Sequence, residues 1–188
     1  MDYKFRFKAE RISLLKRQQL GIGSNEKLCA FRLAELLGVT VVTPSALNMT
    51  SKDLHILLVK DKSAFSALVI PSKDGNFLIV HNSSHSPSRQ QSNICHELAH
   101  IICEHKFSPF GVLNDFPLPM RTYDRKHENE AEYLGGCLQI PRKALVWSLD
   151  NKMNIEQIAS YYGASQAMVR YRINITGLSK TYSQLKIS

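Results

Sequence analysis

Two histidines four residues apart, with a glutamate after the first, are the residues of this chain best placed to do chemistry: His96-Glu97-Leu98-Ala99-His100. On a helix, residues four apart lie roughly 40° apart around the axis and about 6 Å along it, so two imidazoles can reach one ion. Imidazole is a good zinc ligand. Glu97 follows the first ligand, where a carboxylate can take a proton from water activated by the metal. This chemistry needs a helix, and residues 88–105 read as one. Ser88 with Gln91 makes a capping-box start, Pro87 sits just outside it, and Ile94, Leu98, Ile101 and Ile102 recur as an apolar face. The plain alternative is an amphipathic helix with two histidines on its polar side.

Catalytic zinc keeps three protein ligands and one open position for water. The stretch 124–140 offers the third ligand, with Glu128, Glu130 and Glu132 in competition. Glu128 and Glu132 are four apart on one face, whereas Glu130 lies about 200° from Glu128 and should face elsewhere. Glu128 as ligand, with Glu132 one turn on to orient a ligand histidine, serves both the ion and the residues that hold it. Three carboxylates this close repel one another, and a dication relieves that. Gly135-Gly136 costs the helix about 1 kcal/mol each against Ala, which close approach to the metal helix can offset. His81 and His85 precede that helix and read as residues of a solvated turn rather than as ligands. Cys103, one turn beyond His100, reads as a small buried side chain, with thiolate ligation the sharper alternative. Tyr133 and His127 lie near Glu128 in sequence, but neither is identifiable as an oxyanion donor.

The elements that must position these residues follow the chain. Residues 3–20 read as a basic helix ending near Gly21. Residues 25–37 read as a second, with Cys29, Leu33, Leu36 and Leu37 inward and Gly38 as its cap. Val39–Val42 reads as a short strand. Residues 54–60, 64–70 and 77–81 read as strands, with a turn over Pro71–Asn76, and predict a small antiparallel sheet whose edge could pair with an extended substrate. Residues 106–123, with Pro109, Pro117 and Pro119, predict an irregular connection. Residues 143–150 make a short helix around Trp147. Residues 154–162, Gly163-Ala164 and 165–174 have a helix-turn-helix arrangement: Ala159 permits close crossing, Ser165 caps the second helix, and Val169 and Ile173 face inward. Arg170 and Arg172 on that second helix are candidate contacts to substrate or nucleic acid. A structural helical pair is the preferred reading, because a lone half-site reader binds weakly. The tail from Lys180 reads as loose. The expectation is an α+β fold, with a metallopeptidase domain over 1–150 and a helix-turn-helix-like unit over 151–188.

Composition narrows the setting. The 188 residues are 44% hydrophobic, with no apolar run near the ~18 of a membrane span. The charged N-terminus has no apolar stretch behind it, unlike a signal peptide. Cys29, Cys95, Cys103 and Cys137 lack CxxC spacing and read as reduced thiols of a cytoplasmic protein. The net charge of +8 sits at the ends: residues 1–35 hold eight Lys/Arg against four Asp/Glu, and 151–188 hold five against one. An acidic partner or nucleic acid, or merely solvated helix faces, accounts for that excess.

With these motifs in hand, the sequence resembles the ImmA/IrrE family of metallo-endopeptidases from about residue 20 to 175. The likeness runs through Leu33-Ala-Glu-Leu-Leu-Gly-Val-Thr-Val41, Ile79-Val-His-Asn82, Arg89-Gln to His100, Glu128-Asn-Glu-Ala131 to Pro141, and Ile158-Ala to Arg172-Ile. The resemblance implies His96 and His100 as zinc ligands, Glu97 as base, and Glu128, first of the Glu-x-x-Ala segment, as third ligand to one zinc per chain. It further implies a protease that cuts a helix-turn-helix transcriptional repressor, encoded nearby, in response to DNA damage or a mobile-element signal. Three positions depart from the family pattern. Glu132 stands where Asn or Asp is usual, Gly135-Gly136 replaces small alanines, and Ser92-Asn93 replaces a common Phe-Thr. None touches the four site residues. The alternative is a non-proteolytic regulator, or a toxin–antitoxin partner, that binds a repressor or DNA through the basic helix-turn-helix. Glu97 speaks against it, since a structural zinc site is closed by four ligands and has no need of a base.

Overall fold

The computed structural model describes residues 2–47, 66–71, 75–106, 112–113, 116–117 and 124–182. Its described helices are α1 (Tyr3–Gln19), α2 (Ala30–Leu36), α3 (Pro87–Ile102), α4 (Arg125–Gln139), α5 (Arg142–Asp150), α6 (Ile155–Tyr162), α7 (Gln166–Ile175) and α8 (Leu178–Thr181). The His-Glu-x-x-His stretch lies on α3. That helix begins earlier than the capping-box reading: Ser86 is the N-cap, accepting from the Arg89 amide at 3.4 Å, and Pro87 takes the first helical position. Gln91 does other work. Its amide oxygen accepts from Ala30 N at 3.0 Å and its nitrogen donates to Leu28 O at 2.7 Å, docking α3 on the start of α2.

α3 ends at Ile102, not 105. Glu104 turns left-handed at φ 55°, the Glu104 amide donates to Ile101 O at 3.0 Å, and the His105 amide donates to His100 O at 3.1 Å. This two-bond cap satisfies carbonyls the helix leaves open. It also swings His105 back beneath the last turn.

α4 starts on Asp124, whose carboxylate accepts from the Lys126 and His127 amides at 2.7 and 3.3 Å. Those backbone hydrogen bonds pull the Asp124 pKa below its ordinary value. Both glycines of α4 mark close approaches. A Cβ on Gly135 would lie 3.3 Å from the Cα and N of His96, so α4 packs directly against the backbone of the α3 site. A Cβ on Gly136 would lie 2.9 Å from Arg172 Cδ on α7.

The end of α4 explains much of the buried polarity. Pro141 stops the helix, and its last carbonyls need outside donors. Ser13 donates to Cys137 O, Arg17 to Gln139 O at 3.0 Å, and Arg172 Nε to Ile140 O at 2.9 Å. The two guanidinium groups also sit favourably at the negative end of the helix dipole. Ala9, Ser13 and Arg17, spaced by four, are the buried stripe that seats α1 there. Burial lowers the Arg17 pKa to about 10, which leaves it cationic at neutral pH.

Three strands, β1 (Thr40–Val42), β2 (Ala67–Pro71) and β3 (Phe77–His81), pair in the order β1-β3-β2. β2 and β3 form an antiparallel hairpin with Val69 opposite Ile79, while β1 runs parallel to β3 with Val41 opposite Ile79. The expected antiparallel pairing of the last two strands holds, and β1 makes the sheet mixed. In the chain β1 is followed by β2 on the far side of β3, and the β2–β3 hairpin brings β3 back parallel to β1. A second pair, β4 (Val112–Leu113) with β5 (Phe116–Pro117), lies inside the stretch expected to be irregular. The strand expected over 54–60, the rest of 107–123, and the tail from 183 lie outside the described residues.

Two buried apolar clusters form. One joins α1 to α4 with the sheet, through Leu33, Ile79, Ile94, Leu98 and Leu134. The other joins α5 to α8 through Leu145, Ile158, Val169 and Ile173. Within it, Asn154 and Gln157 make a capping box on α6, Gly163 ends α6 at φ 62°, and Ser165 caps α7. No described helix is long and apolar enough to cross a membrane.

Candidate metal centre

α3 contributes His96 and His100 to the site, and α4 contributes Glu128. The two Nε2 atoms are 3.1 Å apart. Glu128 Oε2 lies 3.2 Å from His96 Nε2, and Oε1 lies 3.4 Å from His100 Nε2. A tetrahedral zinc with bonds near 2.1 Å holds its ligand atoms about 3.4 Å apart, so the spacing suits such an ion. Hydrogen bonding within the trio would require a proton on a ring nitrogen. One cation satisfies all the converging lone pairs at once, and the donor set fits a divalent metal. His100 is fully enclosed, whereas the side chains of His96 and Glu128 keep 31% and 30% exposure. The group is thus partly open to solvent at His96 and Glu128 and closed at His100. Glu97, one residue after His96, is 4% exposed.

Behind His100 lies a further pair of side chains. His105 Nδ1 is 2.8 Å from His100 Nδ1, and His105 Nε2 is 3.2 Å from Glu130 Oε2. The ring of His127 stacks on His105 at 4.3 Å and 15°. Glu132 does not perform the orienting role expected of it. Its side chain is exposed, and the carboxylate that meets a histidine beside the site is that of Glu130. The helical wheel placed Glu130 away from Glu128, but the left-handed cap of α3 carries His105 round to where Glu130 reaches it.

The sequence over residues 34–174 matches the family model for the IrrE N-terminal-like domain, peptidase M78. The chain belongs to the ImmA/IrrE family. Membership points to a metallopeptidase-like role, and among the described residues His96, His100 and Glu128 form a group able to bind a metal. No curated protein matches the sequence. Among solved structures, a Mycobacterium tuberculosis transcriptional regulator is similar in fold, with TM-score 0.50 and 15% identity. The match covers 92% of this chain but 47% of that one, so the chain spans about half the length of that protein.

The other candidates of this ImmA/IrrE chain fall outside the donor group. His81 is buried edge-on to Phe31, with its Nδ1 lacking a hydrogen-bond partner, and burial lowers its pKa. His85 Nδ1 meets Asn93 Nδ2 at 3.1 Å. Burial raises the Cys103 thiol to about 11, with Glu130 adding to the effect, and Cys103 is not among the converging donor atoms. All four cysteines are free, and burial raises Cys95 to about 12. Tyr133 is 3% exposed and packs under Arg172, whose guanidinium carbon is 5.1 Å from its ring centroid. Arg172, expected at a contact surface, lies in the interior. It is wholly buried, bonded to Ile140 O and paired with Glu10, so it touches neither substrate nor nucleic acid. Arg170 is half-buried and donates to Gln166 at 3.3 Å.

Proposed function

We propose that the protein is a zinc-dependent endopeptidase that cleaves a helix-turn-helix transcriptional repressor and so relieves repression in a stress or mobile-element response. The observation that carries the reading is the convergence of His96, His100 and Glu128, partly exposed and with the buried Glu97 next to His96 in the chain, in a member of the ImmA/IrrE family. Zinc suits two imidazoles and a carboxylate. When bound there it supplies a Lewis acid that polarises a peptide carbonyl and acidifies water. Glu97 accepts the proton of the attacking water and delivers it to the leaving amine. In this reading residues 1–150 hold the catalytic machinery in the cytoplasm, and 151–188 form a helix-turn-helix-like unit that packs on it or docks the repressor.

The non-proteolytic alternative, binding of a repressor or DNA through residues 154–174, loses one of its two arginines to the interior. Arg172 is fixed on Ile140 and Glu10. The experiment is incubation of the zinc-loaded protein with the helix-turn-helix repressor encoded beside it, comparing wild type with Glu97→Gln by gel and mass spectrometry. Cleavage by wild type, slowed about 10²–10⁴-fold in the variant and stopped by chelator, supports the protease. Equal derepression by a Glu97→Gln protein that still holds zinc overturns it in favour of the binding module.

A further inference from the structure

We propose that His105 is the positioning residue that fixes His100 as a metal ligand, with Glu130 as its anchor; the inference rests on the metal reading above. A neutral histidine offers a lone pair at Nε2 only when its proton sits on Nδ1. His100 Nδ1 faces His105 Nδ1 at 2.8 Å, and one proton is shared across that contact. When His100 is the donor, His105 Nδ1 accepts, and the remaining His105 proton sits on Nε2. That atom lies 3.2 Å from Glu130 Oε2, a carboxylate that takes it. The opposite order fails at both ends. It would place the bare His105 Nε2 against the Glu130 carboxylate. It would also put the His100 proton on Nε2, 3.1 Å from His96 Nε2, where a ligand lone pair is required. The charge of Glu130 therefore selects the tautomer of His100 through one intervening ring.

The pair is built to hold this arrangement. His100 is fully buried and His105 is 5% exposed, so the hydrogen bond works in a low dielectric. The left-handed turn at Glu104 and the His105 amide on His100 O set the His105 backbone beneath the ligand. His127, stacked at 4.3 Å, sets the ring plane. Such carboxylate–histidine support raises the basicity of a metal ligand and restricts its rotation. Glu132, on the same helix and exposed, makes the internal control.

The test is metal binding, read without substrate. Zinc affinity is measured by competition with a chromophoric chelator, and cobalt(II) absorption reports the coordination geometry. His105→Phe keeps a ring but no acceptor, and should weaken binding about 10–100-fold with a shifted cobalt band. His105→Asn returns an acceptor near the Nδ1 position and should recover most of that loss. Glu130→Gln, at a partly exposed side chain, should weaken binding in the same direction, while Glu132→Gln should match wild type. If His105→Phe does not fold, Glu130→Gln against Glu132→Gln decides: weakened binding in the first alone supports the proposal, and wild-type binding in both overturns it. Wild-type affinity and an unshifted cobalt band in His105→Phe and Glu130→Gln overturn the proposal and leave the metal site standing. Failure of wild type itself to take up zinc or cobalt overturns both.

Discussion

Gly135→Ala tests the packing that brings the two site helices together. The new Cβ would sit 3.3 Å from His96 Cα and N and 3.4 Å from the Cys95 carbonyl carbon. All three are backbone atoms of α3, so no flexible side chain can yield and the helices must part by a few tenths of an ångström. Overpacking of this kind costs about 1–3 kcal/mol. Alanine returns about 1 kcal/mol through helix propensity. The balance is a loss of about 1 kcal/mol, or about 3 °C in melting temperature for a chain of this size. The same parting lengthens the 3.2 Å spacing between His96 and Glu128, so zinc affinity falls alongside. Thermal melting with chelator present reads the first effect, and zinc competition reads the second. A metal-free variant that melts above wild type would refute the reasoning, because propensity alone would then decide the outcome.

Arg172→Met should destabilise the protein by about 3 kcal/mol, the lower end for breaking a buried ion pair, because the Glu10 side chain keeps 19% exposure. Arg170→Ala should leave stability within about 0.5 kcal/mol, and equal effects in denaturant titrations would contradict this assignment. His81 contributes a pH dependence. Burial lowers its pKa in the fold, so the unfolded chain binds the proton first as pH falls through about 6.5. Its stability contribution is complete above that pH and is lost as pH drops towards 5. Wild type should lose stability relative to His81→Leu as pH falls from 8 to 5, and a difference constant over that range would contradict the assignment.

Local spacing made the centre of the site legible in the sequence. His96 and His100 need only one helical turn to converge, and Glu128 is singled out once a second helix is placed opposite. Gly135 was legible for the same reason: two glycines inside a helix imply something close by. What escaped depends on how the chain turns between elements. Nothing in Cys103-Glu104-His105 announces a left-handed cap, since Glu104 stands where glycine is usual. Without that cap His105 reads as one more turn of helix, and Glu130 has no histidine to meet. The burial of Arg17 and Arg172 escaped, and the sequence offers Arg172 as a candidate contact to substrate or nucleic acid, because the open carbonyls at the end of α4 appear only when α1 and α7 pack on it. The parallel pairing of β1 was hidden likewise, because strand propensity carries no direction.

The central claim is that His96, His100 and Glu128 hold one metal ion while Glu97 stands beside it as a base. Native mass spectrometry of zinc-reconstituted protein tests it most directly. One zinc per chain is expected in wild type and in Glu97→Gln, and none retained at the same free zinc in Glu128→Ala or His96→Ala. Zinc kept at full stoichiometry in Glu128→Ala, or lost in Glu97→Gln, would contradict the assignment of the ligands and of the base.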